Sequence, residues 1–455
     1  MGQRVIRARP SRLVRSALAF ALAGSLALSA GAAPKKRALP DYDGRDGKGQ
    51  PTTPGDVALW APRIVLFPLY VVSEYVIRRP LGWLIAGAER AQVPAALYDF
   101  FAFGPDHKAG FVPIAFVDFG FQPSVGVYAF WDDAGFKGHQ LRARGSTWGR
   151  EWLTGVFAER FPVGPGTLTL ATSAIRRPDY VFYGLGPRSR EGDRSRYGSN
   201  SWNVRAEYEI PLWASSSVTS DVGFRSASFY AGHFDEDPST PASVAEGRYP
   251  LPPGYQDGYS AAVSSLKLVL DSRRPEPPRG SGVRLQLDAE HGTDLRAQPY
   301  GGWLRYGAML GGALDLADNG RALNLNLATQ FADPTGNAQP VPFTELVTLG
   351  GTHLLPGLRE GRLRGRSGVV GTFRYTWPIW IWLNAGMEAA VGNVFGPGLA
   401  GFEPDLLRFS TAIGFETRGS RDSIFRAVVG FGTSTFRDGT HPESVRLTFG
   451  GATGL

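Results

Sequence analysis

From Gly110 onward, apolar and polar residues alternate with a period of two, and the polar positions repeatedly carry charge. Trp202, Val204, Ala206, Tyr208 and Ile210 alternate with Asn203, Arg205, Glu207 and Glu209. Val283, Leu285, Leu287 and Ala289 alternate with Arg284, Gln286, Asp288 and Glu290. The pattern returns in Leu323, Leu325, Leu327 and Phe331 against Asn324, Asn326 and Gln330, and in Leu407, Phe409, Ile413 and Phe415 against Arg408, Ser410 and Glu416. The last stretch sets Val445, Leu447 and Phe449 against Ser444, Arg446 and Thr448. Successive side chains of a strand point to opposite faces, so each stretch reads as a strand with one apolar and one polar face. Each has roughly the ten residues that a tilted strand needs to cross hydrocarbon. The fold class predicted is all-β: a single transmembrane antiparallel β-barrel, apolar outside and wet inside, closed because an open edge in lipid would strand its backbone groups. A soluble sandwich or propeller would also alternate. The barrel is favoured by Arg and Glu on nearly every strand, and by Tyr306, Tyr375, Trp377, Trp380 and Trp382 near strand ends, where an aromatic girdle sits.

The start of the chain is built differently. Residues 1–32 carry Arg4, Arg7, Arg9, Arg12 and Arg15, then an apolar run over 17–28, then Ala30-Gly31-Ala32. That is the layout of a cleavable secretory signal; an uncleaved anchor would need a longer apolar run. Without those five arginines the formal charge of +7 falls close to neutral, so the basic balance does not point to nucleic acid. The chain has no cysteine, which excludes disulfides, thiolate metal sites, a Cys nucleophile and a lipoprotein anchor, and suits an export route. No later stretch is apolar for long enough to span as a helix; the best, 64–72, is broken by Pro68. Residues 33–55 read as a disordered linker. Residues 56–109 read as an N-terminal helical periplasmic segment, with short amphipathic helices over 69–77 and 81–91 and Pro80 at a helix start. It would lie at the barrel mouth or on the membrane, or form a soluble hairpin. Residues 186–200 and 233–258 are polar and read as long loops.

Three segments carry a family resemblance. They are Leu268-Val269-Leu270-Asp271-Ser272-Arg273-Arg274 with Pro278 and Gly282; Leu349-Gly350-Gly351 with Leu355-Pro356-Gly357-Leu358-Arg359 and Gly361-Arg362-Leu363-Arg364-Gly365-Arg366-Ser367; and Phe373-Arg374-Tyr375-Thr376-Trp377-Pro378 leading to Gly392-Asn393-Val394-Phe395. Phe182-Tyr183-Gly184-Leu185-Gly186, with Asp193 and Tyr197, is similar too. In order and spacing these resemble the C-terminal barrel of the BamA/TamA family, the bacterial surface antigen family, over 110–455. The resemblance implies about sixteen strands in the outer membrane of a Gram-negative cell. It also implies a loop after the twelfth or so strand that folds into the lumen, with Gly350 and Gly351 before its tip. The family tip commonly reads aliphatic-Arg-Gly-aromatic. Here Leu355, Pro356, Gly357 and Leu358 stand there, and proline cannot donate the fork of hydrogen bonds that arginine would. Arg359, Arg362, Arg364 or Arg366 could take that part if the loop turns inward; otherwise the cluster belongs to a solvated external loop. Asp271, Arg273 and Arg374 are expected on the barrel wall. Residues 33–109 lack the pattern of the family's periplasmic POTRA domains, so a POTRA-less member is expected. The chain ends on Leu455 where such barrels often end on an aromatic, a part that Phe449 could play.

No enzyme is expected. The six histidines form neither HExxH nor a close metal pair, and no G-x-S-x-G elbow occurs. No cofactor is implied. The function expected from the resemblance is help in assembling or transporting outer-membrane protein or lipid. The partners would be outer-membrane lipid and unfolded outer-membrane proteins or assembly factors, around a monomeric barrel. The alternatives are a passive channel for small solutes and an outer-membrane hydrolase whose centre is not visible.

Overall fold

The computed structural model describes residues 100–104, 106–275, 280–296, 301–315, 320–336, 340–351, 354–380, 383–417 and 424–452, together with Trp83 and Gly87. The expected signal, the linker, most of the helical segment, Pro278, His353, Trp382 and the terminal Leu455 lie outside these residues. Among the described residues no helix is long and apolar enough to cross a membrane.

The strands run in chain order as β1 (Ala102–Phe103), β2 (Ala109–Asp118), β3 (Ser124–Asp132), β4 (Gln140–Thr147), β5 (Leu153–Val163), β6 (Gly166–Phe182) and β7 (Ser195–Pro211). Then come β8 (Ser217–Ala231), β9 (Tyr259–Asp271), β10 (Gly282–Asp294), β11 (Gly302–Asp315) and β12 (Ala322–Thr335). The short β13 (Val347–Leu349) and β14 (Leu363–Gly365) form a separate hairpin, before β15 (Ser367–Trp380), β16 (Leu383–Phe395), β17 (Arg408–Thr417), β18 (Ile424–Thr435) and β19 (Pro442–Ala452). Setting aside β1, β13 and β14, sixteen antiparallel strands each pair with their neighbours, and β19 returns to β2, closing the barrel. The end of the segment expected to be helical is strand: Ala102 and Phe103 form β1, and β2 already starts at Ala109, because their backbones pair with one another.

The alternation decides which way each residue faces. Trp202, Val204, Leu287, Leu325, Leu327, Ile413 and Val445 are all exposed on the outer wall. A continuous belt of exposed aliphatic and aromatic side chains is unsuited to water and matches lipid. Their alternating partners point inward and pair there, as Arg225 does with Glu290 at 3.0 Å and Arg374 with Glu416 at 2.6 Å. Tyr375 and Trp377 stack at 5.2 Å near the end of β15, and Tyr306 stacks on Phe331 at 5.0 Å.

The two rims differ. At the rim where β2 begins, strands join by tight turns such as 164–165 and 212–216. At the other rim, 183–194, 232–258 and 336–366 are long and fold over the lumen. The expected polar loop 186–200 stops at Arg194, because Ser195–Asn200 extend β7 between β6 and β8, with Tyr197 opposite Tyr180 and Ala231. Beneath these loops lies an apolar core of Phe182, Tyr197, Tyr255, Tyr259, Trp303, Phe343, Leu346, Leu349, Leu355, Leu358 and Leu363. Burial there pushes the Tyr255 hydroxyl up to about 12. Within that half the barrel holds packed side chains rather than water.

Candidate functional site: the inward loop and the seam

Loop 336–366 follows β12, the twelfth strand of the chain and the eleventh of the barrel. Its stem is the β13–β14 hairpin, paired Val347 to Gly365 and Leu349 to Leu363. Gly350 and Gly351 have φ of 106° and 100°, a region that residues with a Cβ rarely enter, so the chain can leave the stem sharply. Gly351 N–H donates to the Leu358 carbonyl (3.0 Å) and Leu358 N–H to that of Leu355 (3.0 Å), folding the tip onto itself. Leu355 and Leu358 are fully buried.

The tip lies against the inner wall of the last three strands. Gly357 N–H donates to Ser410 Oγ of β17 at 2.7 Å, and its carbonyl accepts from Ser444 Oγ of β19 at 2.7 Å. Between them runs β18, so close that a Cβ on Gly357 would collide with the Phe431 backbone. Gly430 and Gly432 are equally constrained, by the Pro356–Gly357 backbone and the Leu358 side chain. Gly357→Val is therefore expected to free the tip, costing about 1–3 kcal/mol of overpacking on top of two lost hydrogen bonds. Added protease should then cut the loop in folded barrels, whereas Gly312→Ala, where a Cβ meets nothing within 4 Å, should leave it resistant.

The four arginines of the loop diverge. Arg362 is the most buried: it donates to Ser189 Oγ (2.8 Å), the Ser189 carbonyl (3.0 Å) and Glu443 Oε2 (2.9 Å), and lies 4.4 Å over the Tyr183 ring. Arg408 of β17 donates to the same Glu443 oxygen (2.7 Å) and to the Ser189 carbonyl (2.7 Å). Glu443, at the head of β19, thus gathers one guanidinium from the loop and one from the wall. Of the four arginines, Arg362, seven residues after Leu355 in a tip folded back on itself, is the one whose guanidinium reaches the last strand. Arg359 pairs with Glu191 (2.5 Å) and reaches Tyr183 (3.4 Å), whose hydroxyl burial pushes above its ordinary range. Arg364 donates to Tyr197 (2.8 Å) and the Phe343 carbonyl (3.0 Å), and Arg366 to Asp333 (2.5 Å) and the Ala332 carbonyl (2.7 Å). The loop is packed inside the barrel, not solvated.

The other wall residues singled out from sequence lie elsewhere. Asp271 is buried at the turn rim, where Arg273 closes a fork on it at 2.6 and 2.9 Å and adds its backbone N–H at 3.0 Å. Arg374 belongs to the lumen pair with Glu416. Neither touches the inward loop in the contacts described.

Beside the loop is the barrel's weakest joint. β19 and β2 share three registered pairs, Thr448 with Asp118, Phe449 with Val117 and Gly450 with Phe116. β2 and β3 share eight, and β18 and β19 ten. Phe119 N–H donates to the Leu447 carbonyl (3.0 Å). A buried fork crosses the joint: Arg446 Nε and Nη2 donate to Asp118 Oδ1 and Oδ2 at 3.0 and 2.6 Å, both side chains 3% exposed. Gly450 belongs here because a Cβ would press on the Phe116 ring. Sequence reasoning did not single out Asp118, Ser189, Ser410, Glu443, Ser444 or Arg446. Asp118 and Arg446 are 328 residues apart, and nothing local marks them as partners.

Comparison with family models finds no match, and no curated protein sequence matches the chain. Among solved structures, the barrel is similar to that of BamA from Haemophilus ducreyi lacking POTRA domains 1-3. The TM-score is 0.51 at 13% identity over 75% of this chain and 70% of that one. CdiB from Acinetobacter baumannii matches with a TM-score of 0.47 at 13% identity over 76% of this chain and 59% of its own. At such identities the BamA likeness is one of fold.

Proposed function

We propose that this chain is an outer-membrane barrel that helps outer-membrane proteins, or lipid, into the bilayer by parting at the joint between β2 and β19. The observation that carries the reading is the three-pair seam set beside an inward loop whose tip is tied to β17, β18 and β19. A wall whose last strands are braced from inside can part at one place and remain a barrel elsewhere. An exposed strand edge is a template for a strand of another chain, since its free N–H and C=O groups supply the affinity. The resemblance of the loop and strand motifs to the BamA/TamA family, and the fold likeness to BamA, support this reading. The packed core under the long loops speaks against a passive solute channel.

The test is a seam disulfide. Val117 and Phe449 are registered opposite each other, and the native chain has no cysteine. A V117C/F449C barrel in liposomes is offered a urea-unfolded eight-stranded barrel as client. Client folding is expected to be faster than in empty liposomes when the pair is reduced and to fall to the empty-liposome rate when it is oxidised. Folding at the empty-liposome rate in both states, together with steady conductance in planar bilayers, would establish the channel instead.

A further inference from the structure

We propose that strand β1 is a strap: it occupies the turn-rim end of the β2 edge and holds the seam there until it is peeled away. The proposal rests on the seam being the working part, as argued above.

β2 gives one edge to β3, and the other is shared by two strands. β19 takes residues 116–118, and β1 takes Ala109 and Gly110 through Ala102 opposite Gly110 and Phe103 opposite Ala109. Between them, 111–115 have no registered strand on that side among the described residues, and Pro113 in their midst has no N–H to offer a ladder. β1 therefore covers only the turn-rim end of the edge that β19 leaves, at Ala109 and Gly110.

The fit is close. A Cβ on Gly110 would collide with the Phe101 carbonyl and press on the Phe130 ring. Phe101 and Ala102 are buried, and Phe103 packs on Phe111 with ring centroids 5.3 Å apart. The turn back into β2 is closed by Gly104 (φ 85°) and by the His107 N–H on the Gly104 carbonyl (3.2 Å). Lys108 pins the turn to the β3–β4 connection through Asp133 (3.0 Å), and its carbonyl accepts from Asp132 N–H (2.6 Å).

The attachment is also weak by construction. Two registered pairs make a marginal strand. The Lys108–Asp133 pair is half exposed, and such pairs contribute little. β1 is joined directly to the preceding chain, so anything that binds or pulls residues before Phe100 acts on it first. Peeling it exposes the β2 edge from the turn rim upward, with β19 still fastened at Arg446 and Asp118.

The experiment measures seam width without any client. Spin labels at Val127→Cys on β3 and Val429→Cys on β18 flank the seam. Labels at Val222→Cys on β8 and Val283→Cys on β10 measure the ordinary wall in a separate protein. All four positions face outward and are exposed. In liposomes, Ala102→Pro is expected to add a longer-distance population at the seam pair and none at the wall pair, with Lys108→Ala giving a smaller change in the same direction. A seam distribution identical to the parent's in both variants overturns the strap. If Ala102→Pro does not give a folded, heat-modifiable band, Lys108→Ala decides alone. A seam that widens in a barrel that folds no client would sink the assembly role and leave the strap standing. Client folding with an unmoved seam distribution would do the reverse.

Discussion

Arg446→Ala is expected to unfasten the barrel at its seam. The substitution leaves the Asp118 carboxylate buried and without its fork, in a joint with only three registered pairs around it. Removing one partner of a buried ion pair costs about 3–5 kcal/mol, because the remaining charge is uncompensated. Elsewhere in the wall such a loss would be shared by eight or more pairs. Here it falls on the joint itself. In gels, the temperature at which the folded band converts to the unfolded one should drop by roughly 3–5 °C for a chain of this size. The seam disulfide V117C/F449C should restore most of it. Replacing both partners separates pairing from burial: Arg446→Leu with Asp118→Leu removes the charges together and should be far milder than either single change. A double variant as unstable as Arg446→Ala would mean that the fork is not the fastening.

Arg362→Ala is expected to release the inward loop. Its guanidinium bridges Ser189 on one loop and Glu443 on the last strand, and it covers the Tyr183 ring. The loss leaves Glu443 still paired with Arg408 but removes charge-assisted hydrogen bonds worth about 1.5–3 kcal/mol, and the void against Tyr183 adds to that cost. The distinctive readout is the loop: protease should cut within 336–366 while the heat-modifiable band persists. Arg362→Lys keeps the charge but cannot hold serine and carboxylate at once with a planar fork, so partial release is expected. Arg366→Ala is the internal comparison, because its partners Asp333 and Ala332 lie at the loop's root. It should leave the tip in place. If Arg366→Ala freed the tip as readily as Arg362→Ala, the assignment of the loop's anchor to Arg362 would be wrong.

Much of the architecture is legible in the sequence. Alternation such as that of Val283, Leu285 and Leu287 against Arg284, Gln286 and Asp288 assigns strand, face and surroundings together, since a one-residue slip would turn every apolar side chain inward. Alternation is a local property, repeated in every strand, and a sequence displays it directly. Gly350 and Gly351 are marked only by the family resemblance, and their positive φ supplies the physical reason that glycine stands there.

What only the tertiary structure decided are the long-range pairings. Four arginines stood close together in sequence with equal claims, and the fold of the tip chose Arg362 by aiming it at Glu443. The seam was hidden for the same reason. Asp118 and Arg446 become partners only because sixteen strands bring the two ends of the barrel round to each other, and the shortness of the contact depends on where each strand stops. Ala102 and Phe103 lay in a stretch that reads as helical, yet they form a strand because the unclaimed edge of β2 is beside them. The pattern of side chains determines that a barrel forms and which face meets lipid. Closure of the ring determines where it is weakest and what holds it there.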